Sequence, residues 1–242
     1  MKTPLISIIT VCFNSEKTIC RTIESVLGQT YTNIEYILID GKSTDNTVAI
    51  IEKYAPQFAA KGIIYRYISE PDNGIYDAMN KGIKMATGAW VGIINSDDWY
   101  EQYVCNQVSV NSNGVDVIYG LQKYWNNDEV ERVLQNHHTR WSDLTMAHSP
   151  IFIRKSLYEK FGYFDLQYKL AADYKLVINL THQKDIKFKM LELVFSNFSL
   201  GGASGRNNFK ASNLETLDIQ LYYQLIPFWK YCLKKIKVKL WR

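Results

Sequence analysis

Residues 34–45 of the chain read IEYILIDGKSTD, and this stretch decides the fold. Apart from Glu35, Ile34 to Ile39 is a short run of apolar residues with three isoleucines, which is typical of a buried strand. The run ends at an acid, Asp40, and Ser43-Thr44-Asp45 then predicts the start of a helix. A buried strand followed at once by a helix is the unit from which parallel sheets are built.

The same unit recurs on both sides of this stretch. Before it, Leu5 to Phe13 (LISIITVCF) predicts a buried strand, and Thr18 to Leu27 shows helical spacing. After it come a strand, a helix and a strand, predicted at Ile63–Ile68, Tyr76–Ala86 and Trp90–Ile94. The alternation predicts an α/β fold in which helices flank a mostly parallel central sheet.

Polar residues follow these strands where each one ends. In open parallel sheets, ligands bind beyond the carboxyl ends of the strands. Asp40, the segment Glu70 to Asn73, and the pair Asp97-Asp98 each follow a predicted strand. We therefore expect all of them to lie along one edge of the sheet.

After Tyr100 the pattern is weaker. We predict strands at Val115–Tyr119 and Ser149–Arg154, and helices at Lys155–Phe161 and Ala171–Leu180. Loops are predicted at Trp141–His148 and Gly201–Gly205. Leu214 to Trp241 is largely helical in pattern and is broken at Pro227.

Composition bounds the class of protein. Hydrophobic residues make up 47% of the 242, which is enough for a large core. The net charge of +4 is too small to indicate nucleic-acid binding, so we expect no nucleic-acid partner. The scattered cysteines indicate neither a zinc site nor a disulfide framework. With no signal peptide or transmembrane run in view, we expect a cytoplasmic protein.

The adjacent acids Asp97 and Asp98 are the strongest chemical signal. Two carboxylates side by side repel each other unless a cation lies between them. Mg²⁺ or Mn²⁺ would suit them, bound by one or two carboxylates and phosphate oxygens of a substrate. The alternative is a helix cap at an exposed turn. Asp40, at the end of another strand, favours a ligand, because the N3–H of a pyrimidine base is a donor that it could accept.

Several motifs, in order, resemble family 2 glycosyltransferases of the GT-A fold. They are Val11–Ser15, Ser25–Tyr31, Ile39–Asp45 and Asn95–Asp98. Glu70 to Gly82 (EPDNGIYDAMNKG) is similar to a subset that builds bacterial surface polysaccharides. The resemblance implies a nucleotide-sugar donor, with uracil the expected base, and an inverting transfer to a saccharide or lipid-linked saccharide.

The resemblance also implies roles for single residues. Asp40 would contact the base, while Asn14 and Asp72 would line the nucleotide pocket. Asp97 would contact the ribose or the metal, and Asp98 would ligate the metal. One departure is Gly41, which stands where the family usually has a second Asp.

The acceptor needs a base to remove its proton, and Asp173 is our candidate. The family carries its catalytic acid at a matching position, although Ala172 replaces the Glu that often precedes it. A helix cap is the alternative role for Asp173. His148 is a candidate for contacting the acceptor or the diphosphate, or else a structural histidine.

We divide the chain into a nucleotide-sugar-binding half (1–105), an acceptor-binding half of the same domain (106–212) and a basic amphipathic segment (213–242). The last segment mixes lysines with aromatic and aliphatic residues. It would bind an anionic membrane surface, making the protein peripheral on the inner face of the cell membrane, or it would pack on its own domain.

The sequence thus predicts a metal-dependent hexosyltransferase. Two other classes stay open. A nucleotidyltransferase also joins parallel strands, acids and metal, but it is expected to carry a Gly-rich basic loop after the first strand. Against a nucleotide-sugar-binding protein without turnover stand the four acids Asp40, Asp97, Asp98 and Asp173.

Overall fold

The structure is a computed structural model that describes residues 3–135, 137–140, 148–200 and 209–240. The strands are β1 Ile6–Cys12, β2 Ile34–Asp40, β3 Ile64–Ser69, β4 Trp90–Asn95, β5 Trp99–Tyr100, β6 Val117–Asn126, β7 Glu129–Leu134, β8 Ile151–Arg154 and β9 Phe188–Ser199. The helices are α1 Ile19–Leu27, α2 Thr47–Ala60, α3 Ile75–Met85, α4 Val104–Val110, α5 Lys155–Phe161, α6 Ala172–Thr181, α7 Phe209–Tyr222 and α8 Phe228–Leu240, with a 3₁₀ turn at His138–Arg140.

The first half of the sheet is parallel. Its strand order is β3-β2-β1-β4, and β1 lies between β2 and β4, with Ile9 opposite both Ile37 and Ile93. Every residue of β1 and β2 is buried, as the apolar runs predicted. The α/β expectation and its parallel centre are therefore confirmed.

The second half of the sheet is mixed. β8 lies antiparallel to β4, and β6 lies antiparallel to β8. Next to β6, β9 lies parallel to it, and the short strand β5 pairs antiparallel with β9. β7 forms a hairpin with β6. We did not predict β9, because its sequence is neither a continuous apolar run nor a strict alternation of apolar and polar residues.

Helices cover both faces of the sheet. Side chains alternate along a strand, so Ile9 and Ile37 face the layer that contains α3 and α6. Ile8 and Leu38 face the opposite layer, which contains α1, α2 and α4. Both layers are apolar cores. Their packing fixes the positions of the parallel strand ends relative to one another.

One buried charge ties the parallel strands together. Glu35, near the start of β2, accepts hydrogen bonds from the Ser7 hydroxyl (2.6 Å) and the Thr87 amide (2.7 Å), and it pairs with Arg66. These partners come from β1, β3 and the turn before β4. Burial acts to raise the pKa of Glu35, but the donors outweigh it and hold the pKa below the ordinary 4.5.

Two helix starts differ from the sequence analysis. α2 begins at Thr47 rather than at Ser43, because Asp45 accepts the Thr47 amide hydrogen at 3.0 Å and so ends the loop there. The C-terminal helical stretch begins at Phe209 and breaks at Tyr223–Pro227, next to the predicted break. Gly201–Gly205 and all of the predicted loop Trp141–His148 except His148 lie outside the described residues.

No described helix is long and apolar enough to cross a lipid bilayer. All four cysteines are free thiols. Positions 105 and 212, where the sequence analysis divides the chain, lie within α4 and α7. The division therefore stays a prediction about function.

Candidate active site

A cavity of about 610 Å³ opens at the carboxyl ends of the parallel strands. It is lined by residues from the loops that follow β1, β2, β3 and β4, among them Phe13, Asn14, Asp45, Asp72 and Asp97. This volume is within the range of small-molecule sites. The expectation that the polar strand ends meet at one edge is thus confirmed.

Asn14 shapes the near side of this cavity. Its backbone has a positive φ of 48°, a conformation that Asn tolerates better than most residues. Its backbone amide donates to the Ser43 hydroxyl at 2.8 Å, and its side-chain oxygen accepts the backbone amide hydrogen of Thr44 at 2.9 Å. Asn14 therefore joins the loop after β1 to the loop after β2, and the turn we expected there becomes part of the pocket wall.

Asp40 lies behind the cavity lining and is fully buried. Its Oδ2 accepts hydrogen bonds from the Ser43 amide (2.9 Å) and the Ser69 hydroxyl (2.6 Å), while the Ser43 hydroxyl donates to Oδ1. Asp40 therefore fixes the loop after β2 against the end of β3. Sequence reasoning did not identify these serines, although Ser43 belongs to a quoted motif.

Asp72 lines the cavity next to Gly41. A Cβ atom at Gly41 would lie 2.5 Å from Oδ2 of Asp72, so the Asp72 carboxylate occupies the space that a side chain at position 41 would need. The other oxygen, Oδ1, accepts the Gly74 amide hydrogen at 2.9 Å. Gly41 stands where the family usually has a second Asp, and the carboxylate beside it comes from Asp72, in the loop after β3.

Asp97 and Asp98 follow β4, but they have different environments. Asp97 lines the cavity, whereas Asp98 is fully buried. The Asp98 carboxylate accepts the Ser199 amide hydrogen at 3.1 Å and the Ser149 hydroxyl hydrogen at 3.3 Å. Burial, and then the charge of Asp97, raises the pKa of Asp98 well above its ordinary value. Burial also raises the pKa of Asp97.

Arg21 is the cation that the structure places beside this acid pair. It donates to the Asp97 carbonyl at 2.8 Å, and its guanidinium lies 3.6 Å from the centre of the Trp99 ring. Its charge acts against the raised pKa of both acids without cancelling the effect of burial. The negative charge of Asp97 and Asp98 is therefore only partly balanced by Arg21.

The acids could hold a metal only together with a substrate. Among the described residues, no three His, Cys, Asp or Glu side chains form a group able to hold an ion by themselves. The side-chain oxygen of Asn95, at the end of β4, is buried without a hydrogen-bond partner in the described chain. One or two carboxylates completed by phosphate oxygens is the arrangement typical of Mg²⁺, and the residues fit it.

Asp173 and His148 form a second group, outside the lining of the large cavity. Oδ1 of Asp173 accepts the Tyr76 hydroxyl hydrogen at 2.8 Å, and Oδ2 lies 3.2 Å from Nδ1 of His148. Nε2 of His148 is buried and has no partner within the described chain. A positive charge on His148 would lower the pKa of Asp97, so the two groups lie within electrostatic reach of each other.

The helix-cap alternative for Asp173 does not match its position. α6 begins at Ala172 after the flanking residue Ala171, and Asp173 lies inside the first turn. Its carboxylate does accept the Tyr174 amide hydrogen at 2.8 Å, but it also binds Tyr76 from another helix. Sequence reasoning missed Tyr76, which stands in the quoted EPDNGIYDAMNKG segment without any local mark of its contact.

Similarity to known proteins identifies the family. The family model described as glycosyl transferase family 2 matches residues 7–174. The chain belongs to this family. It is 28% identical to a PGL/p-HBAD biosynthesis glycosyltransferase of Mycobacterium bovis, over 95% of this chain and 92% of that one. It is 32% identical to an uncharacterized glycosyltransferase of Mycobacterium tuberculosis, over 72% of this chain and 68% of that one.

Solved structures share the fold of this family 2 glycosyltransferase. TarS of S. aureus (residues 1–349) in complex with UDP-GlcNAc matches with a TM-score of 0.68 at 18% identity, over 88% of this chain and 66% of that one. The mannosyltransferase PcManGT of Pyrobaculum calidifontis, in complex with GDP-Man and Mn²⁺, matches with a TM-score of 0.68 at 14% identity, over 93% and 65%. Against a longer TarS structure, the chain spans 38% of the length. The GT-A fold expectation is confirmed.

Proposed function

We propose that this glycosyltransferase moves a sugar from a UDP-sugar to a hydroxyl of a saccharide or lipid-linked saccharide, with inversion and with help from Mg²⁺ or Mn²⁺. The observation that carries the proposal is the cavity at the ends of β1 to β4, with Asp72 and Asp97 in its wall and Asp173 electrostatically linked to it through His148. The complexes of TarS with UDP-GlcNAc and of PcManGT with GDP-Man and Mn²⁺ support this use of the cavity. The acceptor class rests on the sequence motifs.

In this proposal, Asp72 recognises the base, and Asp40, which we expected to contact it, supports the neighbouring loop from behind the cavity wall. Both oxygens of Asp40 already accept hydrogen bonds from serines, so Asp40 holds the loop beside the base. Oδ2 of Asp72 lies over Gly41 in the cavity wall, and we assign it to accept the ring N–H of the base. An imide N–H, as in uracil, is the donor that fits a carboxylate.

The donor's diphosphate would lie near Asp97. A divalent cation held by Asp97 and Asp98 would neutralise the charge that develops on the leaving phosphate oxygens. Asp98 contributes from its buried position, and its serine donors keep its carboxylate oriented. Arg21 lowers the cost of holding two acids together.

Asp173 acts as the base. The acceptor oxygen forms a bond to the anomeric carbon while the bond from that carbon to the phosphate oxygen breaks. The electron pair leaves with the nucleoside diphosphate, and the acceptor's proton passes to Asp173. Tyr76 and His148 hold the two carboxylate oxygens, so the base is oriented before the substrate arrives. A single displacement inverts the configuration and needs no covalent intermediate.

The test combines calorimetry of nucleotides with an assay of donor turnover. UDP with Mn²⁺ should bind wild-type protein, and a UDP-sugar should be split slowly to UDP by water. Asp72→Asn should weaken UDP binding, because its amide cannot accept as a carboxylate does. If the protein binds UDP but releases none from donor sugars when saccharide acceptors are present, the result favours the non-catalytic alternative.

A further inference from the structure

The last helix, α8, rests on the protein along one side only. Tyr231 donates to Asp218 of α7 at 2.7 Å, and Lys235 lies 3.1 Å from the same carboxylate. Lys210 of α7 donates to the carbonyl of Lys239 at 2.8 Å. No residue of α8 is buried. The contacts orient the helix, but they leave most of its surface in solvent.

The side of α8 away from α7 carries a continuous apolar stripe. Trp229, Leu233, Ile236 and Leu240 follow one another at helical spacing, so they lie within about 60° of each other around the axis. Their exposed fractions are 65%, 61%, 56% and 75%. Single exposed apolar residues are ordinary, but an aligned stripe of this kind indicates a partner surface.

Lysines border this stripe on both sides. Lys230 and Lys237 lie along one edge and Lys239 along the other, as follows from 100° per residue. Lys234 and Lys235 complete the set, and the sequence from 228 to 240 contains no acid. Lysine side chains at such edges extend their ammonium groups toward a charged surface while their stems cover apolar area.

We propose that α8 docks this protein on an anionic lipid surface. The helix would lie in the plane of the interface, about 20 Å long, with Trp229, Leu233, Ile236 and Leu240 among the acyl chains. Its lysines would contact the phosphate headgroups. A second copy of the chain fits less well, because pairing the same stripe with itself would bring two sets of lysines together without any acid on α8 to balance them.

The test is flotation of the full chain with lipid vesicles. Wild-type protein should float with vesicles of equimolar phosphatidylcholine and phosphatidylglycerol, and at least about tenfold less with phosphatidylcholine alone. Leu233→Ser with Ile236→Ser should reduce binding by at least about tenfold, because the apolar stripe loses buried area. Lys234→Gln and Lys237→Gln should each reduce it about fivefold, and salt should weaken wild-type binding.

Matched controls separate this surface from general effects. Val110→Ser on α4 removes an equally exposed apolar residue, and Lys53→Gln on α2 removes an exposed lysine. Both should float as wild type does, and all variants should keep the wild-type melting temperature.

Three results would overturn the proposal: no flotation of the wild type, equal binding to both vesicle types, or a dimer in sedimentation that Leu233→Ser dissociates. Because flotation needs no sugar donor, its failure would leave the proposed transfer reaction intact.

Discussion

The Tyr76 hydroxyl donates a 2.8 Å hydrogen bond to Oδ1 of Asp173, from α3 in the parallel half of the fold to α6, 97 residues later. The Tyr76 ring packs against Phe164, with ring centres 5.3 Å apart. Burial, and then the charge of Asp173, raises the pKa of Tyr76 well above its ordinary value, so the phenol keeps its proton and remains a donor. The base we propose is thus oriented by the half of the chain that forms the donor cavity.

Tyr76→Phe should keep the ring packed and remove only this donor. Loss of a hydrogen bond to a charged group costs about 1.5–3 kcal/mol, so we expect kcat to fall roughly 10- to 100-fold. KM for the donor should stay unchanged, because Tyr76 does not line the large cavity. Tyr65→Phe is the matched control, since it too loses a phenol donor, here a half-buried one, and keeps its stacking on Phe58. Equal effects of the two variants on kcat would exclude a positioning role for Tyr76.

Gly41→Ala should weaken donor binding through Asp72. The new Cβ would displace the Asp72 carboxylate, which is the end of a side chain and can move, so the melting temperature should change little. In calorimetry, UDP affinity should fall in Gly41→Ala and in Asp72→Ala, and the double variant should be no weaker than Asp72→Ala alone. Additive losses would show that Gly41 acts on the nucleotide independently of Asp72.

Asp98→Asn should separate stability from function. Removing the charge of the buried acid next to Asp97 relieves repulsion, so the melting temperature should stay or rise. The enhancement of UDP affinity by Mn²⁺ should be lost, because the remaining set of carboxylates is incomplete. Titration calorimetry of UDP with Mn²⁺ and with a chelator measures the enhancement, and thermal unfolding measures the melting temperature. An undiminished Mn²⁺ effect in the variant would contradict the assignment of Asp98 to the metal.

Glu35→Gln should destabilise the fold by about 2–3 kcal/mol at neutral pH, because the charged acceptor for Ser7, Thr87 and Arg66 is lost. The pKa of Glu35 is lowered in the folded chain, so its contribution to stability is complete above the ordinary value of 4.5 and declines as the pH falls through the lower folded value. The gap in urea-unfolding free energy between wild type and variant should therefore narrow in acid. The exposed Glu52→Gln should show no such gap, and a gap that widens in acid would contradict the direction of the shift.

The sequence predicted the parallel half well, because β1, β2 and β4 are mostly apolar and each is followed by polar residues. It did not predict that Asp40 and Asp98 are buried behind the cavity. Their hydrogen-bond donors, Ser69 and Ser199, are 29 and 101 residues away in the sequence, and burial of a carboxylate depends on such tertiary donors. The contact of Tyr76 with Asp173 was missed for the same reason. Likewise β9 owes its strand form to pairing with β6 and β5.

The proposed transfer requires Asp173 as the base, and the most direct test of that role is the release of UDP from a UDP-sugar, with UDP affinity measured on the same protein. Asp173→Asn keeps the shape of the side chain but cannot take a proton, so turnover should fall about 10²- to 10⁴-fold while UDP affinity is unchanged. The exposed Asp185→Asn should match wild type in both measurements. If Asp173→Asn keeps more than about a tenth of wild-type turnover, a different group accepts the proton and the proposed mechanism is wrong.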